Sequence, residues 1–167
     1  LNLTVPMRVN CGKIDHSRIF WGDSAWAVEN DWHNRSLRET QLRDRNQNIN
    51  PGQSSSRFAL SSTSTWSTGV HEPAGIVQVE GSTRRARDFS VMWQIEHNGP
   101  WEWEVGEDDP GLHISAFGPE FQDHQWYTQL GEGNDSESVP VSFAITSGNW
   151  QQSVAEMTLQ RRALRAA

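Results

Sequence analysis

Short stretches in which apolar and polar residues alternate recur along this 167-residue chain. Leu1, Leu3, Val5, Met7 and Val9 fall on one face, with Asn2, Thr4, Arg8 and Asn10 on the other. That period of two is the mark of a half-buried β-strand. The same test selects Phe89, Val91, Trp93 and Ile95, then Val139, Val141, Phe143 and Ile145, and it predicts a last strand from Ala155, Met157 and Leu159. Gly75 to Glu80 reads as a short strand between glycines. In Trp101 to Val105 the residues Trp101, Trp103 and Val105 share one face and Glu102 and Glu104 the other. Asn98-Gly99-Pro100 predicts a hairpin between the Phe89–Ile95 and Trp101–Val105 strands, because Asn and Gly tolerate positive φ. Asn50-Pro51-Gly52-Gln53 breaks the chain before the polar stretch 54–68, where Phe58 and Leu60 anchor an edge strand. A helical hint is confined to 36–46, which has Leu37 and Leu42 among charges and no apolar stripe, and to a frayed turn at 161–167. No repeat appears at blade or solenoid spacing, which disfavours a propeller or trefoil. The pattern predicts an all-β fold, a single-domain antiparallel β-sandwich over 1–167 with a long loop-rich insertion around 106–133.

Composition changes the picture mainly through tryptophan. There are nine, against one tyrosine, so the bias is toward indole and not toward aromatics in general. Indole joins a large apolar body to one N–H donor and suits surfaces that are half wet and half apolar, such as sugar platforms and lipid headgroup zones. The formal charge of -7 argues against nucleic acid as a partner and against attachment to anionic lipid by charge alone. Cys11 is the sole cysteine, so no intrachain disulfide forms. No stretch approaches the roughly 18 apolar residues of a membrane span. The chain is therefore expected to be soluble and not membrane-spanning, while its compartment stays open, secretion and action at a membrane surface both being compatible.

Trp21, Trp26 and Trp32 are five and six residues apart, so no one strand or helix presents all three on a single face. With Trp66, Trp101 and Trp103 they are candidates for an aromatic platform, while one or two such rings are expected to fill the core instead. Glu102 and Glu104, roughly 7 Å apart on a strand, are in the range of a glycosidase acid/base pair, and a strand's solvated face looks the same. Glu107-Asp108-Asp109 reads as an acidic turn, lacking the interleaved oxygens of a calcium loop. The six histidines have no zinc-ligand spacing. Asp15-His16-Ser17 is contiguous and useless as a triad, and no nucleophile elbow or phosphate-binding Gly loop is present. Arg84-Arg85-Ala86-Arg87 reads as a solvated basic loop. No catalytic residue, metal or cofactor is assigned.

Read in order, these markers resemble the aegerolysins, small acidic Trp-rich β-sandwich proteins of fungi and bacteria. Phe20-Trp21-Gly22 ends a strand as the family's Trp-Gly does near its N-terminus. A polar stretch closes in Ile49-Asn50-Pro51-Gly52-Gln53, similar to the family's segment ending in Pro-Gly. Ser61-Ser62-Thr63, passing through Gly69, Glu72 and Gly75 into Ile76-Val77-Gln78-Val79, resembles its Ser/Gly-rich run into a strand. Arg87 to Trp93, followed by Pro100-Trp101, resembles its aromatic strand and the Pro-Trp after it. The likeness covers about residues 1–105. The family's Asp-Cys-Pro-Trp-like element appears as the longer, cysteine-free Gln94 to Trp101, and 106–133 exceeds what the family carries.

The resemblance implies recognition of a membrane lipid, a sphingolipid headgroup with or without sterol. For some members it implies service as the docking component of a two-component pore beside a larger perforin-like protein. It places Glu72 where a family acidic residue helps hold the lipid, with Trp21, Trp26 and Trp66 nearby. The expected function is non-enzymatic binding of membrane lipid. The alternative is a carbohydrate-binding lectin that stacks sugars on the same indoles, and the third reading is a glycan-active enzyme using Glu102, Glu104 or Glu72. Lipid docking predicts exposed indoles at one end of the sandwich, a lectin predicts them flat along a groove or sheet face, and an enzyme predicts two carboxylates facing across a cleft.

Overall fold

A computed structural model describes residues 5–9, 14–40, 57–64, 69–81, 88–108, 111–133 and 135–166. Among them are nine strands: β1 (Val5–Val9), β2 (Ser17–Asp23), β3 (Asp31–Ser36), β4 (Arg57–Ser62), β5 (His71–Val79), β6 (Phe89–Ile95), β7 (Trp101–Asp108), β8 (Gly111–Phe117) and β9 (Val141–Ser147). Two helices accompany them, α1 (Phe121–His124) and α2 (Trp150–Ala166). The strands form two antiparallel sheets, a four-stranded one in the order β1-β8-β7-β4 and a five-stranded one in the order β3-β2-β5-β6-β9. The all-β sandwich expected from the alternation is what the chain forms.

The core between the sheets joins Ile19, Val77, Val79, Val91, Trp93 and Ile95 of the five-stranded sheet to Trp101, Trp103, Val105, Leu112, Ile114 and Ala116 of the other. Trp93 and Trp103 meet edge to face with centroids 5.1 Å apart, a favoured aromatic geometry. Trp93 fits because its cross-strand partner is Gly75; a Cβ there would lie 2.4 Å from the indole. Trp101 and Trp103, expected as surface platforms, are 0% exposed. The alternation that aims Glu102 outward sends both indoles inward, so they fill the core and are corrected to structural residues.

The outer face of the five-stranded sheet is covered too. Phe20, Ala74, Ile76, Met92 and Ala144 pack under Met157 of α2. Burial on both faces explains the unbroken apolar runs in β5 and β6. This is where the strand expected at Ala155, Met157 and Leu159 fails, because the segment is helical. Its buried positions are Ser153 and Met157, with Val154 partly buried, while Leu159 is exposed. That is a period near 3.6, and a serine in the stripe hides it from a hydropathy scan. The Ser153 hydroxyl is within hydrogen-bonding distance of Ser90 Oγ (2.6 Å) and Thr146 Oγ1 (2.9 Å). At the start of the helix Asn149 N–H donates to Gln152 Oε1 at 2.7 Å, one half of a capping box.

Two further expectations change. Asn98-Gly99-Pro100 does not close a hairpin, since β6 pairs with β5 and β9 while β7 pairs with β4 and β8. It carries the chain from one sheet to the other. Within the stretch expected to be loop-rich, β7 runs to Asp108 and β8 occupies Gly111–Phe117. β4 is an edge strand, as Phe58 and Leu60 suggested. Leu1, Leu3, Leu42, the Asn50–Gln53 turn, Trp66, Arg84–Arg87 and Asp109 lie outside the described residues.

Candidate functional site

Strand register decides which loops meet. Asp23, ending β2, pairs with His71, starting β5, and Ile95, ending β6, pairs with Val141, starting β9. In the other sheet Ser62, ending β4, pairs with Trp101, and Glu102 pairs with Phe117, ending β8. The link 96–100 joins these two sets of strand ends, so segments 24–30, 69–70, 96–100 and 118–133 all leave from one end of the sandwich. Here Trp26 (80% exposed), Val28, Val70, Phe121, Trp126, Tyr127 (77% exposed) and Leu130 stand in solvent. Ser24 N–H donates to Val70 C=O at 3.0 Å and ties two of these segments together. Among the described side chains, the opposite end exposes Trp150 at the start of α2 and no large apolar group on a loop. Contiguous exposed apolar patches often mark interaction surfaces.

Beside this end, a cavity of about 650 Å³ opens on the outer face of the five-stranded sheet, between the β2–β3 edge and α2. Phe20, Ala74, Ile76 and Met92 line it together with Trp32, Asn30 and Asn34 on one side and Trp150, Val154 and Arg161 on the other. Glu72 lines it as well. Gly22, paired with Trp32 in the β2–β3 register, lets these groups come together. A Cβ on Gly22 would lie 2.9 Å from Glu72 Cγ and 3.3 Å from the Trp32 ring. Trp32 Nε1–H donates to Asn30 Oδ1 at 2.7 Å, which fixes the indole plane. Burial raises the Glu72 carboxyl above its ordinary value, opposed by a hydrogen bond from Ser24 and by the charge of Arg161. Two buried atoms of lining residues, Gln94 Oε1 and Arg161 Nε, have no hydrogen-bond partner among the described residues. The pocket therefore combines indole surface, a carboxylate, a guanidinium and amide groups, a set that suits a small polar ligand with both anionic and donor groups.

Two polar clusters support this end. On the inner face, Asp23 Oδ1 lies 2.7 Å from His71 Nδ1 and Asp23 Oδ2 lies 2.7 Å from His33 Nε2. Burial raises the Asp23 carboxyl, but hydrogen bonds to His71 and His33 outweigh it and hold the group below its ordinary value. Trp21 sits on the same face, against His33 (5.0 Å) and Phe58 (5.3 Å), with Arg35 over its ring.

On the outer face of the four-stranded sheet, segment 118–133 folds over Glu102, which is 5% exposed. Oxygens of Glu102, Glu120 and Asp123 lie within 4.8 Å of one another. Burial, a hydrogen bond with Asp123 and the charges of Asp123 and Glu120 push the Glu102 carboxyl up to about 7. Neighbouring Glu104 is held below its ordinary value by hydrogen bonds from His113 and Arg57, against the effect of burial. Opposed carboxyls suit acid/base chemistry in principle, and here Glu102 lies buried beneath the segment.

Of the residues singled out from sequence, Glu72 and Trp32 share the pocket and Trp26 crowns the adjacent loop. Trp21 faces the other side of the sheet, since it pairs with His33 while Gly22 pairs with Trp32. It is a wall of the inner core and not a pocket contact. Trp101 and Trp103 are buried, and Trp66 lies outside the described residues. Sequence reasoning missed Asn30, Asn34, Gln94, Trp150 and Arg161, which reach the pocket from four elements or loops. It also missed the Asp23, His33 and His71 cluster, whose only signal was position across paired strands. No family model matches this chain, and no curated protein or solved structure aligns with it.

Proposed function

We propose that this protein docks on lipid membranes through the loop end of its sandwich and holds a headgroup of the sphingolipid type in the Glu72 pocket. The observation that carries the reading is the gathering of Trp26, Val28, Val70, Trp126 and Tyr127 on loops of one end, beside a pocket lined by Trp32 and Glu72. Indoles and short apolar side chains on loop tips partition into the headgroup zone, where the polar edge stays wet. In the pocket, Arg161 is placed to meet a phosphate oxygen while Glu72 accepts from an ammonium or hydroxyl group. Net charge of -7 leaves attachment to apolar insertion and headgroup recognition, not to anionic lipid. No helix among the described residues is long and apolar enough to cross a membrane, so the reading is of docking at the surface.

Vesicle flotation combined with tryptophan fluorescence tests it. Vesicles containing sphingolipid, with and without sterol, should bind the protein and shift its emission to the blue. Trp26→Ala and Glu72→Ala should each lose binding while near-UV circular dichroism stays native. Absence of binding to every vesicle, with an emission shift on a soluble glycan, would transfer the assignment to a lectin.

A further inference from the structure

Segment 118–133 is pinned to the sheet at few points. His124 Nε2 lies 3.2 Å from Ser62 C=O on β4, and its Nδ1 accepts from Glu120 N–H at 3.3 Å. Within the segment, Glu120 Oε1 accepts from Asp123 N–H, Gln125 N–H donates to Phe121 C=O at 3.0 Å and Trp126 N–H to Glu120 C=O at 3.2 Å. These bonds set the tight turn, with Gln125 in the left-handed region at φ 57, that presents Trp126 and Tyr127 to solvent.

A further anchor among the described residues is the cluster of three carboxyl groups. Glu102 comes from β7, while Glu120 and Asp123 come from the segment. The charged groups facing Glu102 are Glu120 and Asp123 from above, Glu104 on its own strand and Arg57 on β4, with His113 of β8 and His124 one step further out. Arg57 reaches Glu102 only at 3.9 Å, and its close contact is Glu104 at 2.8 Å. His113 likewise faces Glu104, at 3.8 Å. Carboxyl groups whose oxygens lie within 4.8 Å of one another repel when ionised, and a proton held between two of them replaces that repulsion with a hydrogen bond.

We propose that segment 118–133 is a proton-latched flap, held against the four-stranded sheet by a proton shared between Glu102 and Asp123 and released when that proton leaves for solvent. Closed, the flap holds Phe121, Trp126 and Tyr127 in one fixed array. Open, the turn set by its internal hydrogen bonds unravels, which frees that array and uncovers Glu102. The high ionisation range of Glu102 places the change near neutrality. The latch belongs to the flap itself and does not depend on what the loop end binds.

Amide hydrogen exchange of the full-length chain between pH 6 and pH 8 tests the latch, read at Asp123, Gln125 and Trp126 after correction for intrinsic rates. A carboxyl ionising at about 7 in the closed form and near its ordinary 4.5 in the open form lowers protection about tenfold over this range. Glu102→Gln should flatten the profile, and so should Asp123→Asn, whose exposed position makes it the safer variant for folding. A flat wild-type profile would overturn the latch. So would a fall that persists undiminished in both variants, or one at pH 8 that calcium reverses and chelation at pH 6 mimics, which would assign the cluster to a cation and not to a proton.

Discussion

Gly75→Ala is the sharpest probe of how the sandwich is packed. The added methyl would lie 2.4 Å from Cζ2, 2.9 Å from Cε2 and 3.0 Å from Cη2 of Trp93, against the roughly 3.5–4 Å of a normal carbon contact. The ring has nowhere to move. It is 0% exposed, its other side meets Trp103, and Gly75 and Trp93 are direct partners across two central strands. Relief therefore requires the strands to part or the indole to leave its rotamer, and overpacking of this kind costs about 1–3 kcal/mol or more. With three ring atoms affected we expect the upper part of that range, about 3 kcal/mol. For a chain of this length that corresponds to a fall in Tm of roughly 6–12 °C. Urea unfolding followed by circular dichroism gives the number. Combining the change with Trp93→Leu should recover part of the loss, because the smaller side chain vacates the clash, and the two substitutions should couple by about 1 kcal/mol or more. A Gly75→Ala protein within about 0.5 kcal/mol of wild type, the spread of an ordinary surface change, would refute the packing argument.

Three further outcomes are expected. Met157→Lys drives a charge into the cluster of Phe20, Ile76 and Met92. It should cost about 3 kcal/mol or more and raise amide exchange throughout α2, read by urea midpoint and exchange together. Gly22→Ala pushes Glu72 and Trp32 apart; it should weaken vesicle binding about tenfold, roughly 1.4 kcal/mol, with a smaller change in Tm than Gly75→Ala. Glu102 ionises at about 7 when folded, above its ordinary 4.5, so the folded chain keeps a proton that the unfolded chain releases. The resulting stability is fully present below pH 4.5 and is lost as pH rises through about 7, in total roughly 3 kcal/mol. Urea midpoints of wild type should fall over that window relative to those of Glu102→Gln.

Alternation was legible at several strands that turn one face to the core. It was missed at β8, where Leu112, Ile114 and Ala116 face inward although the stretch was expected to be loop. Phe89 to Ile95 and Trp101 to Val105 announced themselves, yet the sheet each belongs to did not, because pairing is non-local and Asn98-Gly99-Pro100 serves a crossover as well as a hairpin. α2 was misread because Ala155, Met157 and Leu159 happen to alternate, while its true buried stripe includes Ser153, whose partners Ser90 and Thr146 come from two other strands. Indole chemistry pointed to exposed rings, and Trp26 and Trp126 are exposed. It could not separate Trp26 from Trp101, since an indole is equally suited to a core and to an interface. Glu72 and Trp32 were visible as residue types. Arg161 was not, because only the docking of α2 brings its charge to Glu72.

The chain does not complete one sheet before starting the other. β1 belongs to the four-stranded sheet, β2 and β3 to the five-stranded one, β4 to the first, β5 and β6 to the second, β7 and β8 to the first, and β9 to the second. β1, the first of the described strands in chain order, finds its partner only when β8 emerges, as the pairing of Val5 with Ala116 shows. The contiguous run from β5 to β8 brings most of the inner core together, Val77, Val91 and Trp93 facing Trp103, Val105 and Ile114. Meanwhile β1 and β4 wait on partners far along the chain, and β6 keeps an open edge until β9 is made. Closing both sheets therefore depends on pairings distant in sequence, a slow and non-local route. The same interleaving has a benefit: loops at the exposed end can change in length and composition without either sheet losing a strand.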